Sequence, residues 1–159
     1  DEILAMRKAY QTRAVQEKVP SEEMAAARGE ITPDMHNFGP AVGWGGLTKE
    51  GAIYLFIQDE PNAPQTLTLK DVPNADNAFW SITVYDSDGF PQGEHFNLNS
   101  TFATENNDGE TVVHFGGSPE QENYLEIYDG WTATFRIYSP QPAYFDGSWE
   151  VPKPKPAAN

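Results

Sequence analysis

Histidine and acidic side chains are the groups of this 159-residue sequence whose types could support catalysis or metal binding. The histidines are His36, His95 and His114, and three imidazoles can hold a metal ion that keeps one position open for water. Their spacing matches no local ligand pattern such as H-x-x-x-H, so a shared site would require the fold to bring them together. Two interpretations stay open: ordinary polar surface residues, or a site that combines His with a carboxylate in a hydrolase or a metal-assisted enzyme.

The segment Asp86-Ser87-Asp88-Gly89 begins like a calcium-binding loop, because hard cations bind several carboxylate oxygens and the glycine permits a sharp turn. The longer calcium pattern fails, since Phe90 interrupts it and Asn97 stands where a glutamate is expected. Between two strands, Asp-x-Asp-Gly is more typical of a hairpin turn. We therefore predict a turn, keep Asp86 and Asp88 as weak metal candidates, and expect no cofactor.

Nucleophilic catalysis has no local support in the sequence. There is no cysteine, which excludes disulfides, thiolate nucleophiles and Cys-ligated metals. There is also no G-x-S-x-G motif, and Ser81 lies within a predicted strand instead of on an exposed strand-to-helix turn.

Arg136 is the most informative single residue. It is the only basic residue from position 71 to 152, a segment with 14 acidic residues. A partly buried guanidinium is costly to leave unpaired, so it needs a carboxylate partner or an anionic ligand. We favour an internal ion pair, with Asp86 as the candidate partner, over a role in anion binding.

The net charge of the chain limits the kinds of partner that it can bind. The formal net charge is -14 and the pI is about 4.4, so attraction to nucleic-acid phosphates or anionic lipid is expected to be weak or absent. No apolar run approaches the roughly 18 residues that a membrane span needs, so we expect no membrane insertion. The acidity is concentrated in residues 31–152, which hold 18 acidic and three basic residues.

The N-terminal 30 residues are predicted to be a nearly neutral helical arm. Ile3, Met6 and Tyr10 recur at helical spacing and predict an amphipathic helix over residues 2–18, followed by a short helix over 22–27. Residues 32–47 contain many Gly and Pro residues and are predicted to be a long loop. The apolar side of the first helix could pack on a neighbouring chain, which would make the protein a homo-oligomer.

Beyond this loop, six segments alternate apolar and polar residues as strands do: 53–58, 66–69, 78–85, 94–102, 110–115 and 131–139. We predict an all-β fold, a jelly roll or antiparallel β-sandwich over residues 31–152 with the N-terminal helical arm at 1–30. Residues 153–159 alternate Pro and Lys and are predicted to be an extended, disordered tail.

The alternation also sorts side chains by face. His95 and Asn97 oppose Phe96 and Leu98, while Arg136 lies on the side opposite Phe135. This polar side is either the outer surface of the sheet or the lining of a pocket. Tyr124, Tyr128 and Trp131 flank a Gly-containing turn and belong either to the core or to a ligand-binding rim. The candidate ligand-binding residues, for a small molecule or a saccharide, are His36, Trp44, His95, Asn97, Tyr124 and Arg136.

Three segments carry a family resemblance: FWSITVYDSDGF at 79–90, FRIYSPQP at 135–142 and DGSWEVP at 146–152. Together they resemble the bacterial domain-of-unknown-function family 1214, which often follows family 1254 in exported proteins. The family usually has an Asn-Trp-Leu-Pro segment, which corresponds to residues 123–126 here. In this chain Tyr124 stands in place of the Trp and Glu126 in place of the Pro. The resemblance implies a jelly-roll-like β fold and frequent export to the periplasm, and it supplies no catalytic residues.

We therefore expect an exported, periplasmic or secreted protein whose signal peptide is not visible in the sequence given. The leading functional interpretation is a non-enzymatic ligand-binding or assembly module. The alternative is a hydrolase or metal-assisted enzyme that uses His and carboxylate residues on the polar face of the sheet.

Overall fold

The computed structural model describes residues 2–27, 29–43 and 46–157 and divides the chain into two units, Asp1–Tyr54 and Leu55–Asn159. The helices are α1 (Glu2–Gln16), α2 (Pro33–Val42) and α3 (Pro142–Phe145), with a 3₁₀ turn at Ser21–Glu23. The strands are β1 (Ala52–Ile57), β2 (Gln65–Leu69), β3 (Trp80–Tyr85), β4 (Asn97–Asn99), β5 (Thr111–Phe115), β6 (Tyr124–Leu125), β7 (Thr132–Tyr138) and β8 (Lys155–Pro156).

Helices α1 and α2 pack together in the N-terminal unit. Tyr10 contacts Phe38 edge-on, with 5.2 Å between the ring centroids, and Phe38 is buried in one cluster with Ala14 and Met24. At the start of α2, Arg13 donates to both carboxylate oxygens of Asp34, at 3.1 and 3.0 Å. The predicted helix over 2–18 is thus present as α1. Helix α2 packs against only part of the length of α1.

Helix α2 corrects the prediction of a long loop over residues 32–47. The side-chain oxygen of Thr32 accepts from the backbone N–H of Met35 at 3.1 Å, and Pro33 occupies the first helical turn, where its missing N–H costs nothing. The burial of Phe38 and Ala41 then outweighs the low helix propensity of the Gly and Pro residues in this segment.

The predicted short helix over residues 22–27 is reduced to the 3₁₀ turn. Ser21, which precedes the predicted range and is suited to cap a helix there, instead uses its hydroxyl to accept from the backbone N–H of Tyr54 at 3.1 Å. The turn then ends at Met24, whose backbone N–H donates to the carbonyl of Ser21 at 3.1 Å.

Two four-stranded sheets make the chain mostly β, in a sandwich-like arrangement. Their strand orders are β1-β7-β3-β4 and β6-β5-β2-β8. The β3–β7, β3–β4, β2–β5 and β2–β8 pairs are antiparallel, whereas β5 and β6 are parallel. The six predicted strands are all present, because each carries the alternation that buries one face.

The core of the C-terminal unit consists of the apolar faces of these sheets. Ile82, Val84, Phe135 and Ile137 come from the first sheet, and Leu67, Leu69, Val113 and Phe115 come from the second; each is at most 2% exposed. Trp131 precedes β7, is 1% exposed, and stacks on Phe115 with 5.0 Å between the ring centroids. Trp131 therefore belongs to the core and not to a ligand-binding rim.

Two short strands were not predicted from the sequence. Strand β6 has only two residues and pairs with the end of β5. Strand β8 lies in the predicted Pro/Lys tail and pairs with Gln65 and Thr66 of β2. Both strands form because they pair with a neighbouring strand. Two residues are too few to show the alternation of period two from which a strand is predicted.

Candidate functional site

The outer face of the first sheet is polar across three strands. Ser81 lies opposite both Arg136 of β7 and Asn99 of β4, and Thr83 lies opposite both Thr134 and Asn97. Residues directly opposite each other in a sheet share a face, so these side chains share one polar face, on which Ser81 and Thr134 are themselves buried. We call it the Arg136 face, and it contains Ser81, Thr83, Tyr85, Asn97, Asn99, Thr134 and Arg136.

Arg136 is bound by neutral oxygens. Its Nη2 donates to the hydroxyl of Tyr85 at 2.7 Å, and its Nη1 donates to the hydroxyl of Thr83 at 3.1 Å and to the carbonyl of Thr134 at 3.5 Å. Within the part of the chain that the structure describes, no carboxylate oxygen lies at salt-bridge distance from Arg136. The predicted ion pair with Asp86 is therefore wrong.

The carboxylate of Asp86 accepts hydrogen bonds from residues of its own turn. Its Oδ1 accepts from the backbone N–H groups of Asp88 and Phe90, at 3.0 and 2.9 Å, and its Oδ2 accepts from the side-chain amide of Gln92 at 2.8 Å. The hydrogen bond from Phe90 is the main reason that the pKa of Asp86 lies below its ordinary value. The Asp-x-Asp-Gly segment thus forms the turn that the sequence predicts, with Gly89 at a φ of 86°.

The contacts of Arg136 leave part of its guanidinium open. Arginine has five N–H donors, and the hydrogen bonds from Nη1 and Nη2 leave Nε and the second N–H of Nη2 without a partner in the described residues. Two N–H groups of one guanidinium can bind a single carboxylate in a bidentate arrangement. A half-buried cation with two unpaired N–H groups can therefore bind an anion.

Asn97 is linked to Arg136 through a shared partner. The amide nitrogen of Asn97 donates to the hydroxyl of Thr83 at 2.9 Å and to the carbonyl of Ile82 at 3.1 Å. Thr83 thus accepts from both Asn97 and Arg136, which brings together two of the residues selected from the sequence. The amide oxygen of Asn97 is left to accept a hydrogen bond from elsewhere.

An aromatic pair borders the same face. The backbone N–H of Tyr138 donates to the carbonyl of Phe79 at 3.1 Å, and their rings lie 4.5 Å apart with 30° between the planes. Phe79 is 41% exposed, and it precedes Ser81 by two residues, so both point to one side of the sheet. The sequence did not single out Phe79, Thr83, Tyr85 or Tyr138 as site residues, although each lies on the same side of its strand as Ser81 or Arg136.

His95 and Tyr124 meet at a second place. Their rings lie 5.5 Å apart, edge to face, and the carbonyl of His95 accepts from the backbone N–H of Glu126 at 2.8 Å. Burial and the nearby charge of Glu126 raise the pKa of Tyr124. Burial, followed by the nearby charge of Glu126, raises the pKa of Tyr128 to about 12. The hydroxyl of Tyr128 also donates to the carbonyl of Gln92 at 2.8 Å.

The remaining predicted residues lie elsewhere. His36 is an exposed residue of α2 in the N-terminal unit, and Trp44 falls outside the described residues. His114 lies on the outer side of β5, where its Nδ1 contacts the side-chain amide of Gln121 at 3.2 Å. Over residues 2–27, 29–43 and 46–157, no three His, Asp or Glu side chains are grouped so that they could hold a metal ion.

The fold and this face together define a class: a β-sandwich-like domain with one arginine-containing polar sheet face. The chain belongs to the family described as "Protein of unknown function (DUF1214)", whose family model matches residues 49–142. The matched range includes β3, β4 and β7, and thus the strands that carry Arg136 and its partners.

Solved structures also resemble this chain. The VPA0106 protein from Vibrio parahaemolyticus is 17% identical, with a TM-score of 0.68 over 92% of this chain. This chain spans 42% of the length of the Vibrio chain, and the likeness extends to the fold alone. An uncharacterised protein from Burkholderia cenocepacia is 16% identical, with a TM-score of 0.48 over 65% of this chain and 28% of its own.

The search of curated proteins found no match. Among the described helices, none combines the length and the apolar character that a membrane crossing requires.

Proposed function

We propose that the C-terminal unit is a non-enzymatic ligand-binding module that takes a small organic carboxylate on the Arg136 face. One observation carries the proposal: the guanidinium of Arg136 is half-buried, donates only to neutral oxygens, and keeps two N–H groups open. A carboxylate would accept from these two groups in the bidentate geometry that arginine favours.

The neighbours of Arg136 limit the kind of carboxylate. The Phe79–Tyr138 pair offers an apolar ring surface on the same face, with Tyr138 two residues along β7 from Arg136. On the other side of Arg136, Thr83 and Asn97 offer polar groups. A carboxylate with one flat apolar face fits this arrangement, and aromatic acids and uronic acids share that chemistry.

The charge of the chain also favours a ligand with a single negative charge. Residues 71–152 hold 14 acidic residues besides Arg136, and their summed field repels anions in proportion to the anion's charge. We therefore expect a monocarboxylate to bind more tightly than a dicarboxylate or inorganic phosphate.

Calorimetric titration tests the proposal. Benzoate and glucuronate are expected to bind more tightly than acetate, which lacks a flat face, and succinate and phosphate are expected to bind least. Arg136→Met is expected to abolish binding, whereas Lys153→Met removes the same charge from an exposed residue of the same unit and is expected to preserve it. The proposal fails if none of the five anions binds, or if Arg136→Met binds benzoate and glucuronate as the unchanged protein does.

We also propose that α1 joins two copies of the chain. Helix α1 extends past the end of α2, where Arg7 and Gln11 donate to the carbonyl of Ala41. Ile3, Leu4 and Met6, in its first turns, are 75%, 62% and 56% exposed. The helix lies in the nearly neutral N-terminal segment, so a second copy meets less electrostatic repulsion there than at the acidic body.

Sedimentation velocity tests this assembly role. Met6→Glu is expected to convert a dimer to a monomer, while Thr12→Glu adds the same charge on a different side of α1 and is expected to leave the dimer intact. A monomer at all concentrations of the unchanged protein would contradict the proposal.

We further propose that the two sheets form a jelly roll and that the protein acts in the periplasm or outside the cell. In the first sheet β7 lies between β1 and β3, and in the second sheet β5 lies beside β2. Both arrangements need long connections, and these support Greek-key topology of the kind found in jelly rolls. The family resemblance supports export. An experimental structure in which β5 does not pair with β2, or fractionation that finds the protein only in the cytoplasm, would contradict these two points.

A further inference from the structure

An open cavity of about 440 Å³ lies near the C-terminal end of β2, and none of its lining residues belongs to the Arg136 face. Six of its lining residues are Thr68, Lys70, Asp71, Ser148, Trp149 and Glu150. Its volume falls within the range of small-molecule sites, roughly 300–1,000 Å³. Ser148 and Trp149, which belong to a segment that carries the family resemblance, line this cavity.

The indole of Trp149 is fixed in place before any ligand binds. Its Nε1 donates to the carbonyl of Lys70 at 2.9 Å, and its backbone N–H donates to the carbonyl of Ala143 at 2.9 Å. The ring also contacts Phe135, with 6.5 Å between the ring centroids. An aromatic side chain held in this way presents its surface to a ligand at little cost in conformational entropy.

The polar groups around Trp149 are mostly hydrogen-bond acceptors. The carboxylates of Asp71 and Glu150 make no hydrogen bond or ion pair with any residue that the structure describes. The ammonium group of Lys70, in contrast, lies 3.7 Å from the carboxylate of Glu110. Free acceptors beside an aromatic ring suit a ligand that has several O–H donors and an apolar C–H surface.

We propose that this cavity binds a neutral saccharide, with a sugar ring against Trp149 and its hydroxyls donating to Asp71 and Glu150. A carboxylate ligand would be repelled by the two acidic side chains, so the cavity and the Arg136 face select different ligands. Because Lys70 is paired with Glu110, a cationic amine is the competing ligand, and spermidine and choline are therefore included in the test. The proposal is independent of carboxylate binding at Arg136.

Fluorine NMR on protein labelled with 5-fluorotryptophan tests the proposal, because the chain has only four tryptophans. The Trp149 resonance is assigned by its loss in Trp149→Phe or, if that variant does not fold, by its displacement in Ser148→Ala. Cellobiose and maltose are expected to shift this resonance and to leave those of Trp80 and Trp131 unchanged, since both of these residues are buried. Benzoate, the probe for the Arg136 face, is expected to leave the Trp149 resonance in place.

Two variants identify the polar contacts. The double variant Asp71→Asn with Glu150→Gln is expected to weaken the saccharide affinity about tenfold, through the loss of charge-assisted hydrogen bonds. The matched control, Glu120→Gln with Glu122→Gln, neutralises two exposed acids outside the cavity. The proposal is overturned if neither sugar shifts the resonance, if spermidine or choline shifts it in place of the sugars, or if the double variant binds as the control does.

Discussion

The phenolic oxygen of Tyr85 accepts a 2.7 Å hydrogen bond from Nη2 of Arg136, across the pairing of strands β3 and β7. The phenol accepts this bond with its oxygen, so its own proton is left to donate elsewhere. Tyr85 therefore holds the guanidinium in place and offers a ligand one further donor beside it. The first prediction follows from this positioning role.

Replacing Tyr85 with phenylalanine keeps the ring and removes the oxygen that receives the Arg136 hydrogen bond. We expect benzoate affinity to fall about threefold to tenfold, which corresponds to the net strength of one hydrogen bond. Tyr10→Phe is the matched control, because it also removes a hydrogen-bonded phenol oxygen but lies in the N-terminal unit. Calorimetry that finds equal benzoate affinities in the two variants would rule out the positioning role of Tyr85.

Acid stability should depend on Asp86. The pKa of its carboxyl group lies below the ordinary value in the folded protein, chiefly because of the hydrogen bond from Phe90. A carboxyl group with a depressed pKa stabilises the fold above its unfolded-state pKa, and this stabilisation is lost as the pH falls through the folded-state value. Between about pH 4 and pH 2, Asp86→Asn is therefore expected to show a shallower loss of unfolding free energy than the unchanged protein.

Asp88→Asn provides the control for that experiment, because it changes the net charge equally and its carboxylate accepts no hydrogen bond within the described chain. Urea denaturation at each pH gives the free energies. Equal slopes for Asp86→Asn and Asp88→Asn would show that the hydrogen bonds in the turn do not affect acid stability.

Alkaline stability should depend on Tyr128. Its pKa is raised from 10.0 to about 12 in the folded protein, mainly by burial. A group whose pKa is raised by folding stabilises the protein fully below its unfolded-state pKa, and that contribution is lost as the pH rises through the folded-state value. The free energy of unfolding is therefore expected to fall between pH 10 and pH 12, and to fall less steeply in Tyr128→Phe.

Denaturation curves at pH 9, 10 and 11 measure this difference. Tyr138→Phe is the control, because it removes a tyrosine other than Tyr124 and Tyr128, whose pKa values are raised by burial and by the charge of Glu126. If both variants lose stability as steeply as the unchanged protein does, the shifted titration of Tyr128 is not supported.

Trp131 should account for a large share of the stability of the C-terminal unit. It is 1% exposed, stacks on Phe115, and its Nε1 donates to the carbonyl of Pro61 at 3.2 Å. Trp131→Ala is expected to lower the free energy of unfolding by about 3–5 kcal/mol through the cavity that it creates. Phe102→Ala, at a residue that is 80% exposed, is expected to change it by less than about 0.5 kcal/mol. Equal effects in thermal or urea unfolding would place Trp131 outside the core.

The strands were predictable because burial of one sheet face leaves a period of two in the sequence. FWSITVY and TATFRIY, for example, read directly as β3 and β7. Helix α2 was not predictable from propensity, since the packing of Phe38 and Ala41 decides its conformation. The same holds for β6 and β8, which exist only as partners of β5 and β2.

The site was predictable in part. The composition of the chain singles out Arg136, and alternation places Asn97 on a polar face. The partner of Arg136 was mispredicted as Asp86, because sequence alone does not give the register of β3 against β7. That register sets Ser81 opposite Arg136 and brings Thr83 and Tyr85 within reach of the guanidinium.

Strand β8 is an edge strand of the second sheet, and its residues are poorly suited to pair with a strand of another chain. It forms one edge of that sheet, and its Pro156 has no backbone N–H to offer a further strand. The adjacent Lys155 adds a positive charge at the same edge, a second feature that discourages edge-to-edge aggregation. A chain shortened after Val151 would expose the hydrogen-bonding groups of Gln65 and Thr66, so the Pro/Lys tail protects the protein from amyloid-like strand addition.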